Sequence, residues 1–213
     1  MNQSQQFLFD RYKDLNRYVK EGQILFTGSS LMEHFPIEEL RGSLDIGPVI
    51  YNRGIGGFTT DDFLECIDTV LLAPKASRIF LNIGTNDISE RFNADGQWLE
   101  HLITNYELIL NKLRESQPSC EVYLMAYYPA NQKVIASDPG SLAAFGFRTP
   151  ERLREACRAV EMLSEKYHCH YINVNEGLTD ARGDLKEEFT IDGVHMTPTA
   201  YVRILRNLMP YII

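Results

Sequence analysis

Short apolar runs that end in glycine alternate with longer stretches of helical character along the whole chain. Residues 3–19 read as an opening helix. Gln23-Ile24-Leu25-Phe26-Thr27-Gly28 then forms an apolar run closed by glycine, the mark of a short buried strand. A second strand is expected at Pro48-Val49-Ile50-Tyr51, followed by the turn Gly54-Ile55-Gly56-Gly57. Residues 60–72 predict a helix, with Thr59 or Thr60 as its cap and Asp61 and Asp62 in its first turn, where the helix dipole favours negative charge. The third strand is Ser77-Arg78-Ile79-Phe80-Leu81-Asn82-Ile83-Gly84.

A long helix is predicted over residues 96–116. Leu99, Leu102, Ile103, Tyr106, Ile109, Leu110 and Leu113 recur there at spacings of three and four and make one apolar face. Val122-Tyr123-Leu124-Met125-Ala126 is the fourth strand. Residues 129–149, with Pro, Gly, Asn and Asp, read as an irregular segment. It is long for a plain connector and suits a substrate-facing loop or lid. A helix over 150–167, a fifth strand over 170–174 and a last helix opening at Thr197-Pro198 and running toward Met209 complete the pattern. The strands are short and apolar on both faces. Strand and helix alternate, so the chain predicts an α/β fold with a parallel sheet between helical layers, in one domain spanning 1–213. Sites in such sheets form beyond the carboxyl ends of the strands.

Composition narrows the function classes. The formal net charge is −8, and the basic residues are scattered rather than gathered in a stripe, which argues against nucleic-acid binding. The four cysteines form no C-x-x-C pair and read as free thiols of a reducing compartment. His168-Cys169-His170 lies where a helix gives way to a strand, so alternate side chains should face opposite ways; the stretch reads as packing rather than a metal site. No signal peptide is seen and no apolar run approaches the length of a membrane span, so a cytoplasmic location is the expectation.

Four short blocks carry candidate chemistry. After strand one stands Gly28-Ser29-Ser30-Leu31, where a serine either presents its hydroxyl at the sheet edge or caps a helix. After strand two stands Asn52-Arg53-Gly54-Ile55-Gly56-Gly57, a place for backbone amides to face a ligand, or a turn needing positive φ. After strand three stands Gly84-Thr85-Asn86-Asp87; the Asn86 amide suits an oxyanion, or closes the strand in an Asx turn. Before the last helix stands Asp192-Gly193-Val194-His195, in which the carboxylate can fold back onto the imidazole and leave its Nε2 to accept a serine proton. All four fall where they can converge on one edge of the sheet. Together they fit acyl transfer through a covalent acyl-enzyme.

In order and spacing, these four blocks resemble the SGNH (GDSL-like) hydrolases. The resemblance implies a flavodoxin-like three-layer α/β/α sandwich with a five-stranded parallel sheet of order 2-1-3-4-5. It implies Ser30 as nucleophile, His195 as base and Asp192 as its partner, with an oxyanion hole made by the Ser30 amide, the Gly57 amide and the Asn86 side chain. The family's Gly-Asp-Ser is here Gly28-Ser29-Ser30, and Gly57-Phe58-Thr59 stands where Gly-Asp-Thr is frequent. No metal or organic cofactor is required. The expected substrate is a small acyl ester, first an acetyl group on a carbohydrate; lysophospholipid or thioester cleavage is the alternative. Phe58, Tyr127, Tyr128 and Trp98 are candidate walls of the substrate site, or else packing. A non-catalytic binding protein and a flavodoxin-type cofactor binder are the readings from other classes.

Overall fold

The structure, a computed structural model, describes residues 1–89 and 96–213. Five strands, β1 (Ile24–Gly28), β2 (Ile50–Asn52), β3 (Arg78–Asn82), β4 (Glu121–Met125) and β5 (His170–Ile172), form one sheet in the order β2-β1-β3-β4-β5. Every neighbouring pair is parallel, and Ile24 to Gly28 run in register with Arg78 to Asn82. All five residues of β1 are buried. A central strand without an exposed side needs helices on both faces, as its unbroken apolar pattern predicts.

The helices begin where local chemistry starts them. Asn2 and Gln5 form a reciprocal capping box at α1 (Gln3–Leu15), and Thr59 and Asp62 do the same at α4 (Thr60–Glu65). The apolar stripe of α5 (Trp98–Ser116) buries Leu102, Tyr106, Ile109, Leu110 and Leu113. The helices α8 (Pro150–Lys166) and α9 (Pro198–Ile212) both open on a Thr-Pro pair, with the proline in the first turn, where its missing N–H costs nothing. Among the described residues, no helix is long and apolar enough to cross a membrane.

Four expectations need revision. The opening helix stops at Leu15 and tightens into a 3-10 turn at Asn16–Tyr18. The helix expected over 60–72 is α4 followed by a π turn, Asp68–Leu72. There the Thr69 and Val70 carbonyls accept hydrogen bonds from Asn16 and from Thr27 of β1, so acceptors of the helix ladder are drawn outward. Two short helices, α2 (Ser30–Glu33) and α3 (Ile37–Ser43), lie between β1 and β2; the serine block allows for the first, and the second is not predicted. The segment 129–149 is not irregular. It holds α6 (Gln132–Ser137) and α7 (Pro139–Phe145), capped by the Asn131 and Asp138 side chains. Each spans no more than two turns, too short for the apolar stripe by which longer helices are recognised.

At the end of β1 the chain turns tightly. Gly28 has φ +153°, and a Cβ there would strike the Asn82 carbonyl of β3. Backbone collides with backbone, so no side-chain rotation relieves it. Gly28→Ala is expected to destabilise the protein by about 3 kcal/mol or more, read as a fall in the urea midpoint. An unchanged midpoint would mean that the β1–β3 contact yields freely.

Candidate active site

Ser30 stands two residues after that turn, as the first residue of α2, and is 9% exposed. The Ser29 carbonyl accepts from the amides of Met32 and Glu33, and the Ser30 carbonyl accepts from the amide of His34, which fixes the short helix. The two serines differ in surroundings. Ser29 is buried and its hydroxyl has no hydrogen-bond partner, whereas the Ser30 Oγ lies 2.9 Å from the Nε2 of His195.

His195 belongs to a loop closed on itself. The His195 carbonyl accepts from the Ile191 amide and the Thr190 hydroxyl, and the Gly193 amide donates to Thr190 Oγ1. One carboxylate oxygen of Asp192 accepts from the backbone amides of Val194 and His195, at 2.9 and 2.8 Å. The other lies 2.6 Å from the Nδ1 of His195. A carboxylate only accepts, so Nδ1 carries the ring proton and Nε2 turns its lone pair to the Ser30 hydroxyl. Burial pushes the Asp192 carboxyl up, but the bonds from the His195 ring and from the two amides outweigh it and hold the carboxyl below its usual range. Asp192 therefore stays ionised at neutral pH. The His195 ring is flanked by Phe145 of α7, edge-on at 5.5 Å between centroids, and by His34 at 5.2 Å.

The glycine-rich block is pinned from several sides. The Asn52 side chain takes the Gly54 amide and donates to the Met32 carbonyl. Glu33 Oε2 accepts from the Gly56 amide at 2.5 Å, and Gln5 Nε2 donates to the Gly56 carbonyl at 2.8 Å. In a trans peptide the N–H points opposite to the preceding carbonyl. The Gly57 amide thus faces away from Gln5. A Cβ on Gly56 would sit 3.5 Å from the Ser30 Cβ, so the loop lies against the serine. Gly57 has φ +76°, which glycine adopts without strain.

Asn86 follows β3. Its Nδ2 donates to the Phe58 carbonyl at 2.8 Å, and its Oδ1 accepts from the guanidinium of Arg148 at 2.5 Å. One N–H of the side-chain amide remains beyond these contacts. The next residue, Asp87, is fully buried and accepts from both the amide and the hydroxyl of Thr60, the first residue of α4. Asn105 and His101 complete this polar cluster through Thr60 and Asp61.

Burial outweighs the Thr60 bonds and pushes the Asp87 carboxyl up to about 6. A carboxyl raised on folding adds stability that is full below its unfolded value and is lost as pH rises through its folded value. Asp87 thus favours the folded state below about pH 4 by up to about 3 kcal/mol, relative to pH above 6. Asp87→Asn should remove this component. The wild-type minus variant difference in urea-derived stability should shrink from pH 4 to pH 7; a constant difference would show that Asp87 titrates normally.

The structure therefore brings Ser30, Asp192, His195, the Gly57 loop and Asn86 together, beyond the carboxyl ends of β1, β2 and β3. It does not bring the predicted substrate walls with them. The Phe58 ring is fully buried, and Tyr127, Tyr128 and Trp98 are 3%, 3% and 6% exposed. The Tyr127 hydroxyl is spent on the Ile83 carbonyl. These large apolar rings gain more from the core than from solvent. Phe58 touches the site through its carbonyl, not its ring. Sequence reasoning missed Glu33, which ends the helix that Ser30 opens, and Gln5, Arg148 and Phe145, which support the site from elements with no motif of their own.

The chain matches the model of the GDSL-like lipase/acylhydrolase family over residues 38–203. Among solved structures it is similar to a candidate platelet activating factor from Streptococcus pneumonia, at 31% identity and a TM-score of 0.85, covering 99% of this chain and 93% of that one. A GDSL-like lipase from Bacteroides thetaiotaomicron shares the fold at 18% identity and a TM-score of 0.76, covering 96% of each chain. An acetylxylan esterase from Geobacillus stearothermophilus does so at 18% identity and a TM-score of 0.64, covering 91% of this chain and 95% of that one. No curated protein matches. With the family model spanning most of its length, and a sheet of the same order, this chain belongs to the GDSL-like lipase/acylhydrolase (SGNH) family of hydrolases.

Proposed function

We propose that this protein is a serine esterase that cleaves small acyl esters, with acetylated carbohydrate as its substrate class. The observation that carries the reading is the continuous chain from the Ser30 Oγ to His195 Nε2 at 2.9 Å and from His195 Nδ1 to Asp192 at 2.6 Å. Ser30 attacks the ester carbonyl as His195 takes its proton. Asp192 holds the ring in the required tautomer and stabilises the imidazolium that forms. The carbonyl oxygen gains charge against the amides of Ser30 and Gly57 and the free N–H of Asn86. His195 then protonates the leaving alcohol, the acyl group stays on Ser30, and water activated by the same ring releases the acid. No metal is needed for any of these steps.

The acyl preference rests on a second observation. Phe145 and His34 crowd the His195 ring from two sides, which favours a compact acyl group. The acetylxylan esterase among the structural neighbours is consistent with that preference. On p-nitrophenyl esters, kcat/KM is expected to be highest for acetyl and to fall roughly tenfold or more by octanoyl. Acetate release from acetylated xylan should follow the same site. A maximum at eight carbons or beyond would replace the carbohydrate reading with a lysophospholipase or thioesterase one.

A further inference from the structure

Arg148 stands just past the end of α7, and the mechanism above makes no use of it. It is 4% exposed, deeply buried for a guanidinium. Burial lowers its pKa to about 10, opposed by the nearby carboxylates of Asp192 and Asp87, so it remains a cation at neutral pH. Its backbone is tied in place: the Arg148 amide donates to the Phe145 carbonyl, and Gln132 donates to the Arg148 carbonyl. The guanidinium carbon lies 4.8 Å from the centre of the Phe145 ring. Its terminal nitrogen donates to Asn86 Oδ1, while its Nε has no partner. A buried cation with an unsatisfied N–H is costly, so what it does for Asn86 calls for an explanation.

The geometry points to Arg148 as the positioning residue of the oxyanion hole, acting through Asn86. A side-chain amide can turn over and exchange its oxygen and nitrogen. With the oxygen toward the reacting centre, Asn86 would repel the oxyanion. Two contacts forbid that orientation. The Phe58 carbonyl only accepts, so it takes the amide nitrogen; Arg148 only donates, so it takes the amide oxygen. Either contact alone favours this orientation, and both together leave the second N–H of Nδ2 aimed in one direction. The positive charge of the Arg148 guanidinium against Oδ1 adds a second effect: it draws electron density through the amide and makes the remaining N–H a stronger donor. Arg148 never touches substrate in this arrangement. Its supporting turns, α6 and α7, also carry the Phe145 ring that lies against His195, so one segment orients both the base and the oxyanion donor.

This inference rests on Asn86 serving as the oxyanion donor, and the test separates the two. Steady-state hydrolysis of p-nitrophenyl acetate is measured for wild type, Asn86→Ala, Arg148→Met and the double variant, with folding checked by circular dichroism. Asn86→Ala is expected to lose roughly 10²–10³-fold in kcat. Arg148→Met should lose roughly tenfold to a hundredfold, in kcat with KM nearly unchanged, because the donor weakens only in the transition state. In the Asn86→Ala background the same Arg148→Met change should cost less than about threefold, since there is no amide left to orient. Arg148→Lys keeps a cation without the planar fork; it should show a smaller kcat loss that also vanishes in the Asn86→Ala background, and it decides the question if Arg148→Met does not fold. An equal loss in both backgrounds, a loss through KM alone, or no loss overturns the role of Arg148 while leaving that of Asn86 intact. Full activity in Asn86→Ala overturns the oxyanion assignment itself.

Discussion

Ser30→Ala is expected to remove ester hydrolysis almost completely, by roughly 10⁴–10⁶-fold in kcat, in a protein that stays folded. In the proposed mechanism the Ser30 oxygen carries the acyl group, and no rearrangement of His195 replaces it. Structurally the change is small. Ser30 is 9% exposed, and its side chain gives up one bond, to His195 Nε2. That should alter stability by no more than about 1 kcal/mol. Ser29→Ala is the matched control. Its hydroxyl is buried without a partner, so its loss should leave turnover within a few fold. The two variants are compared on p-nitrophenyl acetate after their circular dichroism spectra are matched to wild type. Activity that survives in Ser30→Ala and disappears in Ser29→Ala would reverse the assignment.

Asp192→Asn is expected to cost roughly 10⁴-fold in kcat with the backbone unchanged. The two amide bonds from Val194 and His195 can be kept by the Asn oxygen. What changes is the second oxygen, 2.6 Å from His195 Nδ1. Replaced by NH2, it becomes a donor, and a donor there is satisfied only if Nδ1 gives up its proton. The proton moves to Nε2, and the ring can no longer accept from Ser30. Asp192 also bears on acid stability. Its carboxyl is raised by burial but held below its usual range overall by the His195 ring and the two amides. A carboxyl lowered on folding adds stability that is present above its unfolded value and is lost as pH falls through its folded value. Wild type should therefore lose more stability than Asp192→Asn on acidification below about pH 4. Wild-type turnover in Asp192→Asn would mean that the His195 tautomer is set by another group.

The strands and long helices were legible because each carries its own local signal. An apolar run closed by glycine marks β1 and β3; a three-and-four spacing marks α5; a Thr-Pro pair marks the start of α8 and of α9. The short helices α3, α6 and α7 carry no such stripe and are not predicted, although Asn131 and the Asp138-Pro139 pair are cap signals that could have found α6 and α7. The aromatic residues were misplaced for a different reason. Tyr127 and Tyr128 stand at the carboxyl end of β4, a position that suits a substrate wall as well as a core, and only burial distinguishes the two.

What the sequence by itself determined is the set of chemical groups and the edge of the sheet to which they are delivered. A serine, a glycine turn, an asparagine and an Asp-His pair must gather at one edge if the strands that precede them are parallel, because parallel strands send all their carboxyl ends the same way. What only the tertiary structure decided is how each group is aimed. Which way the Asn86 amide faces, what holds the Gly56 peptide and what flanks the His195 ring depend on Arg148, Glu33, Gln5 and Phe145. Apart from Glu33, these reach the site from elements distant in sequence. Hydrogen bonds over such separations leave no periodic mark along the chain. They exist because the packed core holds donor and acceptor within about 3 Å of each other, and nothing local in the sequence encodes that distance.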